Sequence, residues 1–383
     1  MRHVSVNLIP RSLSRNLAKK LAMPVCTFAF VLCASIAQAA TCTATGFSRD
    51  SLNLTAALIN PPGKVSGDVD ATGCNIGIYY SAGASGQVDG ANVHGANYFG
   101  IVNNGAKVNI QNSTISDIGE RPFNGTQHGV AVYFAFGSAA TGDIKSNFIW
   151  NYQKGGIVVN GPMASSKIQQ NYVIGLGPVN FIAQNGIQAG YGANAQIQQN
   201  FVTGNSYSGP NLAASGGIIV VGGDCYGGNA TTNTSIQLNV ALGNDVGVWF
   251  SNLDSACNPL GTETNDTARN NTLVNNQINN TTGNGPTQGY QAAISDQGDM
   301  DVIQNNDICG PGYKPPGSAT AALFAIDTTA TNNPQVRNNN ICVDSSGAVS
   351  AMTVAPAAGA AHMQPAQPVK SPNCEPPRRI QSH

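Results

Sequence analysis

The sequence KIQQNYV at Lys167–Val173 returns as QIQQNFV at Gln196–Val202. Each copy has an isoleucine, two further residues, an asparagine, and a valine two places later. Looser copies of this pattern place one polar residue each in a common column: Ser113, Asn147, Asn171, Asn200, Asn239, Asn271, Asn306 and Asn339. The pattern is too short for a helix and too regular for a loop. It predicts one strand and its corner, repeated on every coil of a solenoid.

A second strand begins with glycine followed by isoleucine or valine, at steps of 27 to 31 residues. The starts are Gly100–Ile101, Gly129–Val130, Gly156–Ile157, Gly186–Ile187, Gly217–Ile218 and Gly247–Val248. Neither helical periodicity nor a propeller-like aromatic signature separates the strands. We therefore expect an all-β parallel β-helix, with asparagine at the corners because it tolerates left-handed backbone and can bond its amide to the next coil. The glycines would serve a similar bend.

The N-terminus carries the pattern of an export signal. Five basic residues precede an apolar run from Leu21 to Ile36, and Ala37-Gln38-Ala39 supplies a small-x-small cleavage site. The alternative is a membrane anchor, but the run is short for one. Removing the signal leaves 13 basic against 19 acidic residues, a net charge of −6. That charge argues against a nucleic-acid partner, and we expect a secreted or periplasmic protein with no membrane span after cleavage.

Four segments follow from these patterns: a signal peptide at 1–39, an N-terminal cap at 40–75, the β-helix at 76–345 and an Ala/Pro-rich tail at 346–383 that reads as disordered. Within the cap, Ser51–Ile59 has the pattern of a short apolar helix that ends before two prolines. Such a helix would cover the exposed core of the first coil.

The cysteines are expected to form three disulfides in an oxidising compartment. Cys309 and Cys342 each follow a repeat isoleucine, so stacked coils would bring their sulfurs together. Cys225 and Cys257 lie in loops of adjacent coils, and Cys42 and Cys74 flank the cap. A set of free thiols is the alternative. The absence of a C-x-x-C pair or a histidine cluster gives no indication of zinc or haem.

Outward residues of the second strands can be read as columns because side chains alternate between faces. The columns are Gln127, Lys154, Gln184, Ser215, Asp245; Ala131, Val158, Gln188, Ile219, Trp249; and Tyr133, Asn160, Gly190, Val221, Ser251. Amides suit sugar hydroxyls and aromatic rings suit sugar faces. Candidate substrate-binding residues are therefore Gln127, Tyr133, Gln184, Gln188, Asp245 and Trp249. An ordinary solvated sheet is the alternative.

The loop Gly119–His128 combines a carboxylate, a guanidinium and an imidazole directly before a second strand. His128 can act as a base near neutral pH. Glu120, Arg121 and Lys154 are the other candidate catalytic residues, with Arg121 or Lys154 neutralising a uronate carboxylate during β-elimination. A structural loop with an Arg–Glu pair is the alternative.

Three aspartates fall at a similar offset after their strands in successive coils: Asp224, Asp254 and Asp299. Stacked carboxylates among carbonyl-rich loops can hold Ca²⁺. Two such acids can instead serve as the acid and base of a glycosidase, and aspartates also commonly cap turns.

The Gly-Ile strand at Gly186–Ile187 and the corner at Ile197–Val202 resemble secreted bacterial right-handed parallel β-helix repeat proteins of the pectin-lyase-like superfamily. The resemblance covers about Ile76 to Ser345, and the superfamily includes lyases, hydrolases, epimerases and adhesins. Together with the outward columns and the His128 loop, this fold favours recognition of an extracellular polysaccharide or cell-surface glycan, with lyase cleavage more in keeping than hydrolysis. A non-catalytic adhesion module is the alternative. Gln127-His128-Gly129 is similar to the Gly-His-Gly of polygalacturonases, whose paired aspartates this chain lacks.

Overall fold

The computed structural model describes residues 41–209, 213–260, 262–274, 291–309, 323–328 and 333–341. The predicted signal peptide, the C-terminal tail and Cys342 lie outside the described residues.

Within the described residues the chain forms 29 strands and one 3₁₀ turn, Asp224–Tyr226. The strands are β1 (Thr43–Arg49), β2 (Leu52–Ile59), β3 (Lys64–Asp70), β4 (Ile76–Tyr80), β5 (Ser85–His94), β6 (Phe99–Asn103), β7 (Lys107–Gln111), β8 (Thr114–Ile118), β9 (Val130–Phe134), β10 (Thr141–Lys145), β11 (Phe148–Tyr152), β12 (Gly155–Asn160), β13 (Ser165–Gln169), β14 (Tyr172–Ile174), β15 (Asn185–Gly190), β16 (Asn194–Gln198), β17 (Phe201–Thr203), β18 (Gly216–Gly222), β19 (Ser235–Gln237), β20 (Val240–Leu242), β21 (Val246–Asn252), β22 (Thr267–Arg269), β23 (Thr272–Val274), β24 (Gln291–Gln297), β25 (Val302–Gln304), β26 (Asp307–Cys309), β27 (Leu323–Asp327), β28 (Gln335–Arg337) and β29 (Asn340–Ile341).

The strands stack coil upon coil as a parallel β-helix. An 11-stranded sheet runs β1-β2-β4-β6-β9-β12-β15-β18-β21-β24-β27. An 18-stranded sheet contains two parallel stacks, one from β7 through β10 and β13 to β28, the other from β8 through β11 and β14 to β29. Among the described strands only β1 and β2 pair antiparallel. Each coil from β6 onward therefore contributes three strands, one to each stack.

Aliphatic residues in register fill the interior. In the 11-stranded sheet the column runs Ile78, Ile101, Val132, Ile157, Ile187, Ile218, Val248, Ile294 and Ile326. All of these side chains are fully buried. Burying one such side chain stabilises the fold by about 1.5–3 kcal/mol. Because few aromatics reach the interior, the core consists mainly of these stacked columns.

The predicted asparagine column is an interior hydrogen-bonded ladder. The Asn171 backbone N–H and side-chain Nδ2 both donate to Asn200 Oδ1, at 3.0 and 2.9 Å. Its Nδ2 also donates to Ile144 O at 2.9 Å. The same three-bond pattern links successive asparagines from Asn147 to Asn339. The column prediction is confirmed.

Of the two reasons given for asparagine at the corner, the amide bond to the next coil is confirmed and the left-handed backbone was wrong. Left-handed backbone occurs one residue earlier, at the exposed corner residues Gln170 (φ 57°) and Gln199 (φ 56°). The asparagine follows that residue and turns its amide inward. Its role is therefore to satisfy buried backbone groups of neighbouring coils, not to supply a positive φ.

The glycines that open the second strands also differ from the prediction. Gly156 and Gly186 have no positive φ. A β-carbon on Gly156 would lie 2.4 Å from Val173 Cγ1 and 2.6 Å from Gly186 O. Glycine is required there because the strand approaches a core side chain and the next coil too closely for any side chain, not because the backbone bends.

The cap is built from strands, so the predicted helix over Ser51–Ile59 was wrong. Leu52–Ile59 is β2, which pairs with β4 on one side and β1 on the other. Leu54 and Ala56 are fully buried on one face, and this period-2 pattern fits a strand. A disulfide joins Cys42 to Cys74 beside it.

The second predicted disulfide, Cys225–Cys257, is also present. Cys309 ends β26, where Ile308 lies in register with Ile341. Because its predicted partner Cys342 lies outside the described residues, the third disulfide stays a prediction. Two disulfides in the described chain are consistent with an oxidising compartment.

Candidate functional site

The outer face of the 11-stranded sheet between β12 and β24 carries two columns of outward side chains. One is Val158, Gln188, Ile219, Trp249 and Ser295; the other is Asn160, Gly190, Val221, Ser251 and Gln297. Five outward residues of this region are partly exposed: Asn185, Gln188, Ile219, Trp249 and Gln297. We call these five residues the outer strip. They combine amides, an indole and an aliphatic side chain.

Two rings at the outer strip are held by one continuous hydrogen-bond network. Trp249 Nε1 donates to Gln297 Oε1 at 3.1 Å, and Ser251 Oγ donates to the same oxygen at 2.8 Å. The Tyr226 hydroxyl lies 2.7 Å from Ser251 Oγ. Tyr226 is 39% exposed. The polar end of each ring is thus engaged by protein, while Tyr226 and Trp249 keep accessible ring surface in a fixed position.

Of the predicted substrate-binding residues, Gln188 and Trp249 lie in the outer strip. Gln188 Nε2 donates to Asn160 Oδ1 at 2.9 Å, which links the amides of neighbouring coils. Tyr133 shares their register, but it is buried and stacks on Phe99 with ring centroids 4.9 Å apart.

Gln184 and Asp245 lie in the interior, so they do not form part of an open face. Gln184 Oε1 accepts from Leu176 N at 2.8 Å. Asp245 accepts from Tyr207 N and Ser215 N, both at 2.9 Å. The outward parity predicted for them was wrong: each directly precedes an outward residue, Asn185 or Val246, so alternation turns both side chains inward, beneath the loops that precede β15 and β18. Both side chains satisfy loop backbone groups instead of facing solvent.

Gln127 is exposed, but the column to which it was assigned is wrong by two residues. Val130 is in register with Gly155, and Val132 with Ile157. Gly129, not Gln127, therefore occupies the place equivalent to Lys154 and Gln184. Gln127 lies in the loop before β9, where its Nε2 donates to Gly125 O at 3.1 Å.

Glu120 and His128 form the closest acid–imidazole pair among the predicted catalytic residues. His128 Nε2 lies 2.7 Å from Glu120 Oε1. The imidazole is 8% exposed and stacks on Tyr98, with ring centroids 3.7 Å apart. The Tyr98 hydroxyl donates to Asp50 Oδ2 at 2.9 Å. Burial, with Asp50 adding to it, raises the pKa of Tyr98 to about 12.

Gln153 positions this pair from the next coil, although no motif in the sequence marks it. The side chain is fully buried. Its Oε1 accepts from Glu120 N at 3.1 Å and from Asn124 N at 3.2 Å. Its Nε2 donates to Thr126 O at 2.8 Å and His128 O at 3.3 Å. One amide thus fixes both ends of the loop.

Arg121 and Lys154 make their hydrogen bonds away from His128. The exposed Arg121 donates to Asp117 Oδ1 at 2.9 Å and lies over the Phe123 ring at 4.9 Å. Lys154 Nζ donates to Ala183 O at 2.8 Å, in the loop of the following coil. Burial lowers the pKa of the Lys154 ammonium to about 8. The structure therefore brings together two of the four predicted catalytic residues.

The three aspartates predicted to bind calcium are engaged separately. Asp224 is exposed at the first residue of the 3₁₀ turn. Asp254 Oδ1 accepts from Ala256 N and Asn258 N, both at 2.9 Å, and so caps its own turn. Asp299 Oδ1 accepts from Asn333 Nδ2 at 3.1 Å. Within the described ranges, no group of three or more His, Cys, Asp or Glu is arranged to hold a metal ion.

A different set of acids converges inside the C-terminal coils. Asp301 Oδ1 accepts from Asp266 N at 2.7 Å and from Thr264 Oγ1 at 2.6 Å. Asp266 and Asp301 are fully buried. Burial, reinforced by Asp296 and Asp266, raises the pKa of Asp301 to about 10. Burial likewise raises the pKa of Asp266 well above its ordinary value. These acids belong to the interior.

No protein-family model and no curated protein matches this chain. Two solved structures are similar in fold. The Dettilon tailspike protein aligns with 72% of this chain and 62% of its own, at 13% identity and a TM-score of 0.38. The A-module of the Azotobacter vinelandii mannuronan C-5 epimerase aligns with 76% of this chain and 87% of its own, at 13% identity and a TM-score of 0.31. This chain thus spans less than two thirds of the tailspike chain.

By its strand pairing the chain is a parallel β-helix protein. The two likenesses concern the fold alone. In the part of the chain that the structure describes, no helix is long and apolar enough to cross a membrane.

Proposed function

We propose that this is an exported protein that binds an extracellular polysaccharide along the outer face of the 11-stranded sheet. The export signal pattern at 1–39 and the two disulfides support the location. The ligand would lie across successive coils, because the outer strip runs through β15, β18, β21 and β24.

One observation carries the proposal, namely the network that fixes Trp249 and Tyr226. Both rings retain accessible surface while Gln297 and Ser251 hold their polar ends. Rigid aromatic platforms flanked by a few amides are the composition that sugar rings and hydroxyls require. Because the network is formed before binding, little side-chain entropy is lost when a ligand arrives.

Cleavage by β-elimination is a second candidate, supported by the 2.7 Å contact between His128 and Glu120. The carboxylate would hold the imidazole in one orientation, and the imidazole would take the proton beside a uronate carboxylate. Arg121 and Lys154, the cations expected to neutralise that carboxylate, bond to Asp117 and Ala183 instead. Recognition without cleavage therefore has the stronger support, in keeping with an adhesion-type surface module.

The two tryptophans allow a direct test of binding. Trp150 lies in β11, on the other sheet, so the Trp150→Phe protein keeps Trp249 as its one indole reporter. The protein from residue 40 onward would be titrated with a panel of polysaccharides while fluorescence is followed. Saturable quenching or enhancement is expected. If no polysaccharide of the panel gives a saturable signal, and calorimetry also detects no binding, the proposed function is refuted.

A matched pair of variants assigns the binding face. Trp249→Ala should weaken binding at least about tenfold, about 1.4 kcal/mol, as expected for an aromatic anchor. Tyr172→Ala removes a more exposed ring from β14 on the other sheet and should leave affinity unchanged. For cleavage, the ultraviolet absorbance of unsaturated product is compared between the parent and His128→Ala. Product formation lost in His128→Ala would favour the lyase over the module.

A further inference from the structure

The outer face between β12 and β24 carries no ionisable side chain at its outward positions. The two columns described above contribute ten such positions, and the column that begins each strand adds five: Gly155, Asn185, Gly216, Val246 and Ala292. These 15 residues are glycine, aliphatic, amide, serine or tryptophan. A face that binds charge would present cations or anions at this place.

The ionisable groups beside this face either form hydrogen bonds or ring contacts within the protein or, as at Asp224, are anionic. At the edge that precedes the strands, Lys154 Nζ bonds to Ala183 O and Asp245 is buried among backbone N–H groups. At the opposite edge Asp254 caps its own turn, and Asp224 is exposed. At the two ends of the face, Asp327 of β27 lies in register with Ser295, and Arg49 lies over the Tyr133 ring of β9 at 6.0 Å. Together these six groups sum to a negative charge when ionised, so they do not attract an anionic chain.

The polar groups of the outer strip suit an uncharged ligand. Gln188 keeps one side-chain N–H beyond its bond to Asn160, and Gln297 keeps its amide nitrogen beyond the two bonds that its oxygen accepts. Asn185 Oδ1 accepts from Gly216 N at 3.1 Å, and the side-chain nitrogen of Asn185 takes no part in this bond. Neutral donors of this kind bond hydroxyl and amide oxygens without the desolvation cost of an unpaired charge.

We infer that the ligand of this face is a neutral polysaccharide, one without uronate, sulfate or phosphate groups, stacked on Trp249 and Tyr226. This inference rests on the proposed function and narrows its ligand class. A polyuronate has a carboxylate on every sugar, and each one that settled on the outer strip would lose water without gaining a cation. A neutral chain meets no such penalty.

The test compares charged and neutral chains of matched length on the Trp150→Phe protein. Neutral linear glucans and N-acetylglucosamine oligosaccharides are set against polygalacturonate and alginate, each at low and high salt. The inference expects the tightest binding from a neutral chain, with an affinity that changes less than about twofold with salt. Binding that is tightest for a polyuronate and weakened by salt, yet still lost in Trp249→Ala, would overturn this inference and keep the proposed function.

A gain-of-charge variant gives a second, independent readout. Gln188→Lys places a cation in β15, at one end of the outer strip and at a partly exposed position. It should create salt-sensitive binding of polygalacturonate at least about tenfold tighter than in the parent, and circular dichroism would verify that the variant is folded. A folded variant without any gain for the polyuronate would count against the inference. Failure of every glycan to bind either protein would instead refute the proposed function.

Discussion

The interior asparagine ladder can be tested at Asn200, which is 1% exposed and central in the column. Its Oδ1 accepts from the backbone N–H and the Nδ2 of Asn171, at 3.0 and 2.9 Å. Its Nδ2 donates to Ile168 O at 2.9 Å and to Asn239 Oδ1 at 3.0 Å. Asn200→Ala therefore removes four hydrogen bonds in a region without access to water.

The expected loss follows from which groups are left without these bonds. Asn239 Oδ1 still accepts from the backbone N–H of residue 200, and Asn171 Nδ2 still donates to Ile144 O. The Asn171 backbone N–H, one Asn171 side-chain N–H and the Ile168 carbonyl lose their partners. Each such buried group costs about 1–3 kcal/mol. For three such groups we expect the free energy of unfolding to fall by about 3–9 kcal/mol.

The assay is denaturant unfolding of the oxidised protein from residue 40, with far-ultraviolet circular dichroism as the signal. Gln199→Ala is the matched control. Gln199 is the exposed neighbour, and its side chain accepts one bond, from Gln170 Nε2 at 3.2 Å. That control should change stability by less than about 0.5 kcal/mol. If Asn200→Ala lost no more than Gln199→Ala, the ladder would not be a source of stability and the reasoning would be refuted.

Three other predictions concern pH, disulfide and loop positioning. Burial raises the pKa of Asp301 to about 10, against 3.8 for the ordinary carboxyl, so the contribution of this group to stability should be fully present below pH about 4 and be lost, by up to about 1.4 kcal/mol per pH unit, as pH rises. The melting temperature of Asp301→Asn should depend less steeply on pH than that of the parent. An unchanged pH dependence would contradict the raised pKa of Asp301. Replacing Cys225 and Cys257 with serine should lower the free energy of unfolding by about 2–4 kcal/mol. It should also weaken glycan binding, because the disulfide holds the loop that carries Tyr226. Calorimetry measures both quantities, and an unaltered affinity would show that the disulfide does not support the binding site. Gln153→Ala should raise amide hydrogen exchange throughout residues 120–128 relative to the parent, and equal protection would exclude a positioning role.

The repeat columns could be predicted from sequence because they depend on one variable, the spacing between equivalent residues. Asn171 and Asn200 are hydrogen-bonded neighbours because 29 residues make one coil at that point. The stack of isoleucines follows from the same count. Since both patterns are local and repeat many times, an error at one coil does not displace the others.

The register error at Gly129 shows where that reasoning ends. The residue equivalent to Gly156 is Ala131, because Val132 pairs with Ile157. Gly129 is a glycine for a different reason: its φ is 89°, and a β-carbon there would lie 2.5 Å from Gln153 Cβ. Spacing alone cannot separate two glycines that are required for unrelated reasons, so Gln127 was placed in its column two residues out of register.

Accessibility could not be predicted, because it depends on loops that have no repeat. Gln184 shares the register of the partly exposed Lys154, yet it is fully buried and accepts a hydrogen bond from the backbone N–H of Leu176. The pairing of Trp249 with Gln297 joins residues 48 positions apart, across the insertion that lengthens this coil. A spacing of about thirty residues gives no indication of that contact. The outer strip was therefore predicted in part. Its hydrogen-bond network was not, because it depends on contacts that the repeat spacing does not determine.

The separation of the ladder from the outer strip explains how such a fold can carry a ligand site without losing stability. Backbone groups at each corner are satisfied by asparagines inside the helix, and the aliphatic columns fill the remaining interior. Outward positions such as Gln188 and Trp249 contribute little to either. Side chains there can consequently change with the ligand while the coil spacing of about 4.8 Å stays fixed. On this reasoning Trp249→Ala should weaken glycan binding with a small effect on the free energy of unfolding. Asn200→Ala should lower the free energy of unfolding with a small effect on glycan affinity.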